Sequence, residues 1–336
     1  MVSAALSLLL QANGGGGDGG GDKDDETEVF VLTKLGADLD GERMVGFYKS
    51  VGSRTDLVLL DPNSRTSLAV LPVYADGGRG CFVNLACNDH FSPQDLIGGL
   101  DRLTEEAGNA RAFLFGYPHL LPLMQGRALS DMLRSVRSRL GSGCLVGVDL
   151  NGVSAENHSP DLLLPALQSV DVLHLNEEEA AVICGEQDDT SALHEAGCAV
   201  VLLSLGKRGC RVSVTPDAAR IAKCPGQISR WIPGSDVRVP AYALTGGEVN
   251  VNGAGDALFA GFCLGASWTT AGRRGDNSVE EGGGFGVSAE EAGKFASLVA
   301  RQRCDVRTRD GGVGMEGSTE LMRCVKTGEM PDSIVA

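Results

Sequence analysis

The stretch Val249-Asn250-Val251-Asn252-Gly253-Ala254-Gly255-Asp256-Ala257-Leu258-Phe259-Ala260-Gly261-Phe262 sets small and polar residues directly ahead of an Ala-rich amphipathic run. Such an order predicts a tight glycine turn at a helix N-terminus. The unpaired amides of Gly253, Ala254 and Gly255 would point outward with the positive end of the helix dipole and form an anion site, with Asn252 at its mouth. Side chains this small let a phosphate approach closely. Asp256, in the first turn, stands where charge develops on a transferring phosphoryl group and could accept the proton of an attacking hydroxyl. On these residues alone the plainer reading has equal standing: Gly-Ala-Gly as a close helix contact and Asp256 as a partner of the helix dipole.

Two further clusters share this character. The apolar run ending at Leu175 passes into Asn176-Glu177-Glu178-Glu179, which opens a helix. Asn176 and Glu179, three apart, lie on one face and could hold a hydrated Mg²⁺ against phosphate oxygens; an ordinary capping box fits the same residues. Next, Val200-Val201-Leu202-Leu203-Ser204 runs into Leu205-Gly206-Lys207-Arg208-Gly209. A Gly-x-x-Gly turn with two cations at a strand's C-terminal end suits a nucleotide phosphate, and Ser204, Gly206 and Gly209 are its candidates. A plain hairpin turn is the alternative.

The elements that must position these residues read as alternating apolar runs and amphipathic stretches, the pattern of βαβ units and a mostly parallel sheet. Strands are expected at 29–33, 112–115, 144–150, 172–175, 199–204 and 209–214, and helices at 95–107, 126–140, 177–184 and 257–264. Several strands are continuous apolar runs, as expected of strands covered on both faces. The segment 57–92 reads differently. Short runs, Ser67-Leu68-Ala69-Val70-Leu71 and Cys81-Phe82-Val83, flank the turn Ala75-Asp76-Gly77-Gly78, which predicts a small β lid. The segments 11–28 and 272–286 are rich in Gly and charge, too poor in apolar area to offset their ordering entropy, and are expected to be mobile insertions in one domain spanning 1–336.

Composition narrows the partners. With 336 residues and 43% hydrophobic content the chain can bury a full core. A net charge of -15 repels nucleic acid and anionic lipid, so neither is an expected partner. Ala4 to Leu10 is too short for a membrane span and lacks a basic leader. The ten cysteines form no C-x-x-C pair, which fits free thiols in a reducing compartment and a cytoplasmic location. Asn157-His158-Ser159 and Arg274-Gly275-Asp276 read as chance matches. Gly312-Val313-Gly314-Met315-Glu316-Gly317 matches G-x-G-x-x-G but follows no strand. No G-x-x-x-x-G-K-[ST] occurs, and no histidine stands at a nucleophile's motif spacing.

The order Asn-x-x-Glu, Gly-x-x-Gly, then Gly-Ala-Gly-Asp resembles the C-terminal half of the ribokinase-like PfkB carbohydrate kinases. Upstream, Leu35-Gly36-Ala37-Asp38-Leu39-Asp40-Gly41 is similar to the family's Gly-x-Asp-x-x-Gly segment, and 65–70 through 76–79 to its lid strands. Asp149-Leu150-Asn151 is similar to its Asp-x-Asn at a strand end. The resemblance covers about 32–301. It implies an α/β ribokinase-like fold and ATP-dependent transfer of a γ-phosphate to a primary hydroxyl of a sugar. It further implies amides of Gly253, Ala254 and Gly255 stabilising the phosphate, Asp256 as base, and Asn176 with Glu179 organising Mg²⁺. Asp149, Asn151 and Asn88 fall to the substrate side, and a homodimer through the lid is the assembly to test. Val2 to Leu9 is similar to the helix after the family's first strand and Gly-Gly loop, so the chain reads as truncated before them. A catalytically silent, nucleotide-binding homologue is therefore a second reading. Asn250-Val251-Asn252 stands where many members carry Asp-Thr-x, which argues against monovalent-cation activation. Asn before Gly-Ala-Gly-Asp is also similar to the adenosine kinase branch, so an adenosine- or pseudouridine-like nucleoside is the alternative substrate.

Overall fold

The computed structural model describes residues 28–72, 74, 80–107, 110–152, 160–186, 189–244, 251–267 and 288–304. In chain order the elements begin with β1 (Thr33–Gly36), α1 (Leu39–Ser50), β2 (Val58–Asp61), β3 (Leu68–Val70), β4 (Phe82–Asn84) and α2 (Pro93–Ala107). There follow β5 (Ala112–Gly116), α3 (Gly126–Leu140), β6 (Leu145–Asp149), β7 (Val172–Asn176), α4 (Glu177–Cys184) and α5 (Ser191–Glu195). The C-terminal part adds β8 (Val200–Ser204), β9 (Cys210–Val214), α6 (Ala218–Ile221), β10 (Asp236–Val239), α7 (Ala254–Ser267) and α8 (Ala289–Cys304).

A six-stranded sheet in the order β10-β9-β8-β7-β6-β5 forms the centre, parallel from β5 to β8 and antiparallel through β9 and β10. Its central strands are buried on both faces, which is why they read as unbroken apolar runs. Within β6, Val146 and Val148 join the cluster under α3, while Leu145 joins the one on the other face with Phe259 and Phe262 of α7. The helix α3 forms because Leu129, Met132, Leu133, Val136 and Leu140 recur at helical spacing and bury one stripe. It stops at Gly141, whose φ of 78° only glycine adopts without strain.

Two small sheets stand apart: parallel β1–β2 and antiparallel β3–β4, the latter pairing Leu68 with Asn84 and Val70 with Phe82. The hairpin predicted within 57–92 thus forms its strands at 68–70 and 82–84, and its turn at 75–78 lies outside the described residues. So do 11–27, 272–286, Val2 to Leu9, Asn250, the Asn157 sequon, the Arg274 tripeptide and the Gly312 to Gly317 match. The strand expected at 29–33 lies three to four residues later, with only a parallel bridge between Phe30 and Arg54 upstream of it. Among the described residues no helix is long and apolar enough to cross a membrane, and the nine described cysteines are free thiols.

Candidate functional site

The parallel strands end in one row. Register pairs Gly116 with Asp149, Asp149 with His174, and Asn176 with Ser204, so the polar residues at these strand ends share the sheet's carboxyl edge. Open α/β sheets bind ligands at this edge.

The helix α7 delivers Asp256 to it. Gly253 takes a φ of 77°, Ala254 N donates to Val251 O at 3.1 Å, and the helix begins with Ala257 N to Gly253 O at 3.0 Å. Of the three amides expected to form an anion site, that of Ala254 already has an acceptor. Gly255 packs closely on β7: a Cβ there would lie 3.3 Å from His174 Cε1. Asp256 itself is buried, 3% exposed.

Its partner is a residue that sequence reasoning missed. The Tyr117 hydroxyl donates to Asp256 Oδ1 at 3.0 Å. Tyr117 follows β5 in the left-handed region, φ 62°, and its own N–H donates to Asp149 O at 3.0 Å. Asp149 is fully buried, and its Oδ1 accepts from His174 Nδ1 at 2.8 Å. The His174 ring stacks on Phe259. Asp149 Oδ2 and His174 Nε2 are buried with no hydrogen-bond partner among the described residues. A carboxylate enclosed in this way supports the site from beneath, through His174 and the Tyr117 backbone. Asn151 follows it with a φ of 39°.

Asn176 and Glu179 form the capping box that was the plainer reading. Asn176 Oδ1 accepts from Glu179 N at 2.9 Å, and Glu179 Oε2 accepts from Asn176 N at 2.8 Å. The second oxygen of Glu179 accepts from Gly152 N at 2.7 Å, tying the loop after β6 to α4. Gly206 and Gly209 likewise bound the hairpin turn joining β8 to β9, and a Cβ on Gly209 would lie 2.0 Å from Val239 O. Ser204 Oγ donates to Leu175 O at 3.4 Å. Asn88 sits in the short turn after β4; its N–H donates to Leu85 O and its carbonyl accepts from Phe91 N, both local bonds. The structure therefore brings together Gly253, Gly255, Asp256, Asp149 and, through Gly152, Glu179. It gives Asn88 no described contact with that cluster.

The electrostatics follow from burial. Asp256 is pushed above the ordinary carboxylate value by burial and by Asp149, while the Tyr117 hydrogen bond and His174 pull it down. Tyr117 is raised well above its ordinary value by burial and then by the Asp256 and Asp149 carboxylates, so it stays a donor. Burial alone would lower His174, but the Asp149 carboxylate outweighs it and the net direction is up. Glu179 is raised by burial, against the amides of Asn176 and Gly152. Two signals pointed to the missed residues. Tyr117 is the first residue past an apolar strand whose neighbour ends in Asp149, and His174 interrupts the buried run Val172-Leu173-His174-Leu175.

Comparisons with known proteins bear on the family and the fold. Residues 21–308 match the model of the pfkB family carbohydrate kinases. No curated protein matches the chain. Among solved structures, Giardia lamblia ribokinase is similar at a TM-score of 0.67 and 18% identity, over 96% of this chain and 86% of that one. Arabidopsis thaliana ribokinase, complexed with ribose and ATP, is similar at 0.64 and 17%, over 96% and 86%. A Burkholderia thailandensis nucleoside kinase, in complex with inosine, is similar at 0.63 and 13%, over 98% and 87%. At such identities these likenesses establish a ribokinase-like fold.

Proposed function

Since the chain belongs to the pfkB family of carbohydrate kinases, we propose that it transfers the γ-phosphate of ATP to a primary hydroxyl of a sugar, with Asp256 as general base. The observation that carries this reading is the placement of Asp256. It is a buried carboxylate in the first turn of α7, at the carboxyl edge of the parallel strands and beside small-residue amides. The acceptor hydroxyl gives its proton to Asp256 as its oxygen bonds to the γ-phosphorus, and the bond from that phosphorus to the ADP oxygen breaks. The first-turn amides of Gly253 and Gly255 face the phosphoryl oxygens, and the Ala254 amide would join them by leaving Val251.

Mg²⁺, bound with ATP, would neutralise phosphate charge. Among the described residues no group of three or more His, Cys, Asp or Glu is arranged to hold a metal ion. Both Glu179 oxygens also accept backbone amides. The donor set does not fit direct ligation by Asn176 and Glu179.

A nucleoside is the second reading, for which the neighbouring Tyr117 and His119 rings, centroids 6.2 Å apart, are the aromatic candidates to stack a base. A panel of sugars and nucleosides with ADP release as readout decides between them. Turnover of nucleosides alone reverses the ranking, and no turnover of either leaves a nucleotide-binding homologue. A homodimer through the lid is supported by the exposed Leu68, Val70 and Phe82 of β3–β4. Light scattering should then show a dimer that Phe82→Asp converts to a monomer.

A further inference from the structure

Asp256 has one side-chain hydrogen bond among the described contacts, from a residue 139 positions away. We infer that Tyr117 is the positioning residue of the base: its hydroxyl holds Asp256 Oδ1, leaves Oδ2 to take the proton, and partly offsets the opposition of Asp149 to a charged carboxylate. This rests on the reading of Asp256 as the base.

The backbone supports the assignment. A bulky residue at φ 62° is strained where glycine would not be, and such strain concentrates where a side chain must point one way. The conformation is held from both sides: Tyr117 N donates to Asp149 O at 3.0 Å, and Leu120 N donates to Tyr117 O at 2.9 Å. Pro118 then starts a short 3₁₀ turn. Burial and the Asp256 and Asp149 carboxylates keep the proton on the phenol, so it can donate to Asp256. Among the described residues, the ionisable groups acting on Asp256 are Asp149 at the end of β6, His174 in β7, and Tyr117 after β5. Asp149 opposes ionisation, whereas Tyr117 and His174 favour it. Glu179 of α4 acts on Tyr117 and His174. Of Tyr117 and His174, Tyr117 is the one with a hydrogen bond to the carboxylate among the described contacts.

The test compares Tyr117→Phe with 3-fluorotyrosine introduced at position 117. Phenylalanine removes the donor; the fluorinated ring is nearly isosteric and a stronger donor. A hydrogen bond to a charged group, converted at the cost per pKa unit, predicts for Tyr117→Phe an acidic limb of the kcat profile about one pH unit higher. It also predicts kcat lower by about tenfold, with KM within about twofold. The fluorinated protein should move the limb the other way. The ¹³C titration of the Asp256 carboxyl, read without substrate, should follow both shifts. A carboxyl titration unmoved in the fluorinated protein overturns the assignment, whatever Tyr117→Phe does to folding. If the titration moves but the wild-type protein phosphorylates no sugar or nucleoside, the Tyr117 contact stands and the phosphotransfer reading falls.

Discussion

Replacing Asp256 by asparagine should move activity and stability in opposite directions. The substitution keeps the side chain's shape and an oxygen to accept the Tyr117 hydroxyl, at 3.0 Å in the native contact. It removes the charge and the ability to take a proton. A general base contributes about 10²- to 10⁴-fold, or about 3–5 kcal/mol of transition-state stabilisation at roughly 1.36 kcal/mol per decade. The loss should fall on kcat, since the Gly253 and Gly255 amides proposed to hold the nucleotide are untouched. Stability is a separate matter. Burial and Asp149 raise Asp256 above the ordinary carboxylate value, so the fold favours its protonated form. The ionised group therefore opposes folding at neutral pH, and this opposition fades as pH falls through its raised value. Neutral asparagine removes it at all pH values. Relief of such a site is worth about 1 kcal/mol, or about 2 °C in a chain of this size. ADP release, nucleotide titration calorimetry and thermal melting on one preparation read all three quantities. Wild-type kcat in Asp256→Asn would remove the residue from the mechanism, and an unchanged or lower melting temperature would refute the account of its burial.

The remaining predictions concern the frame. Gly209→Ala places a Cβ 2.0 Å from Val239 O at a φ of 93°, so it should cost about 3 kcal/mol or more and be read as a lower denaturation midpoint. Asp171 is buried and accepts from Arg137, Arg220 and Val146 N, so Asp171→Ala leaves two cations without their carboxylate. That should cost about 3–5 kcal/mol by chemical denaturation, whereas the same substitution at the exposed Asp131 should be nearly neutral. Asp38 is held down to about 2 by the Thr66 and Gly41 amides and the Thr66 hydroxyl. A depressed carboxylate contributes stability above its unfolded value that disappears as pH falls through the folded one, so Thr66→Val should flatten the acid limb of a stability curve between about pH 4 and 2.

Legibility followed the range of the contacts. The strands β5 to β8 and the helices α3 and α4 were readable because each declares itself within a few residues, by an unbroken apolar run, a 3.6-residue stripe or a cap. Other elements were not, among them the short helices α5 and α6. The edge strand β10, Asp236-Val237-Arg238-Val239, is short and half polar because only one neighbour pairs with it. Glycines and a thin apolar stripe obscure α1, and α8 is Ala-rich and follows a segment with no pattern of its own. The strand β1 is offset from the apolar run that suggested it. Within the site, Asp256 and the Gly253 turn were local and legible. The Tyr117 contact joins residues 139 apart and the His174 contact joins residues 25 apart, so neither leaves a spacing signature.

The same physics explains why Asp256, the proposed base, and the core cannot be separated. From Asp256 to Ala266 nearly every residue of α7 is buried, so the helix is placed by packing on both sides. Gly147 of β6 admits Phe259, whose ring a Cβ there would meet at 2.8 Å, and Gly261 admits Val299 of α8 at 2.9 Å. Phe259 in turn stacks on His174, which holds Asp149, whose backbone oxygen fixes Tyr117. The path from a core phenylalanine back to the carboxylate three residues before it on the same helix closes on itself. A shift of α7 by a fraction of an ångström therefore changes the Asp256–Tyr117 geometry and the core together. Because interiors are close-packed and yield little, the tolerance of the core sets the tolerance of the base. The precision that proton transfer requires thus comes from the aromatic and glycine contacts beneath the sheet edge, more than from the loop that carries the recognisable motif.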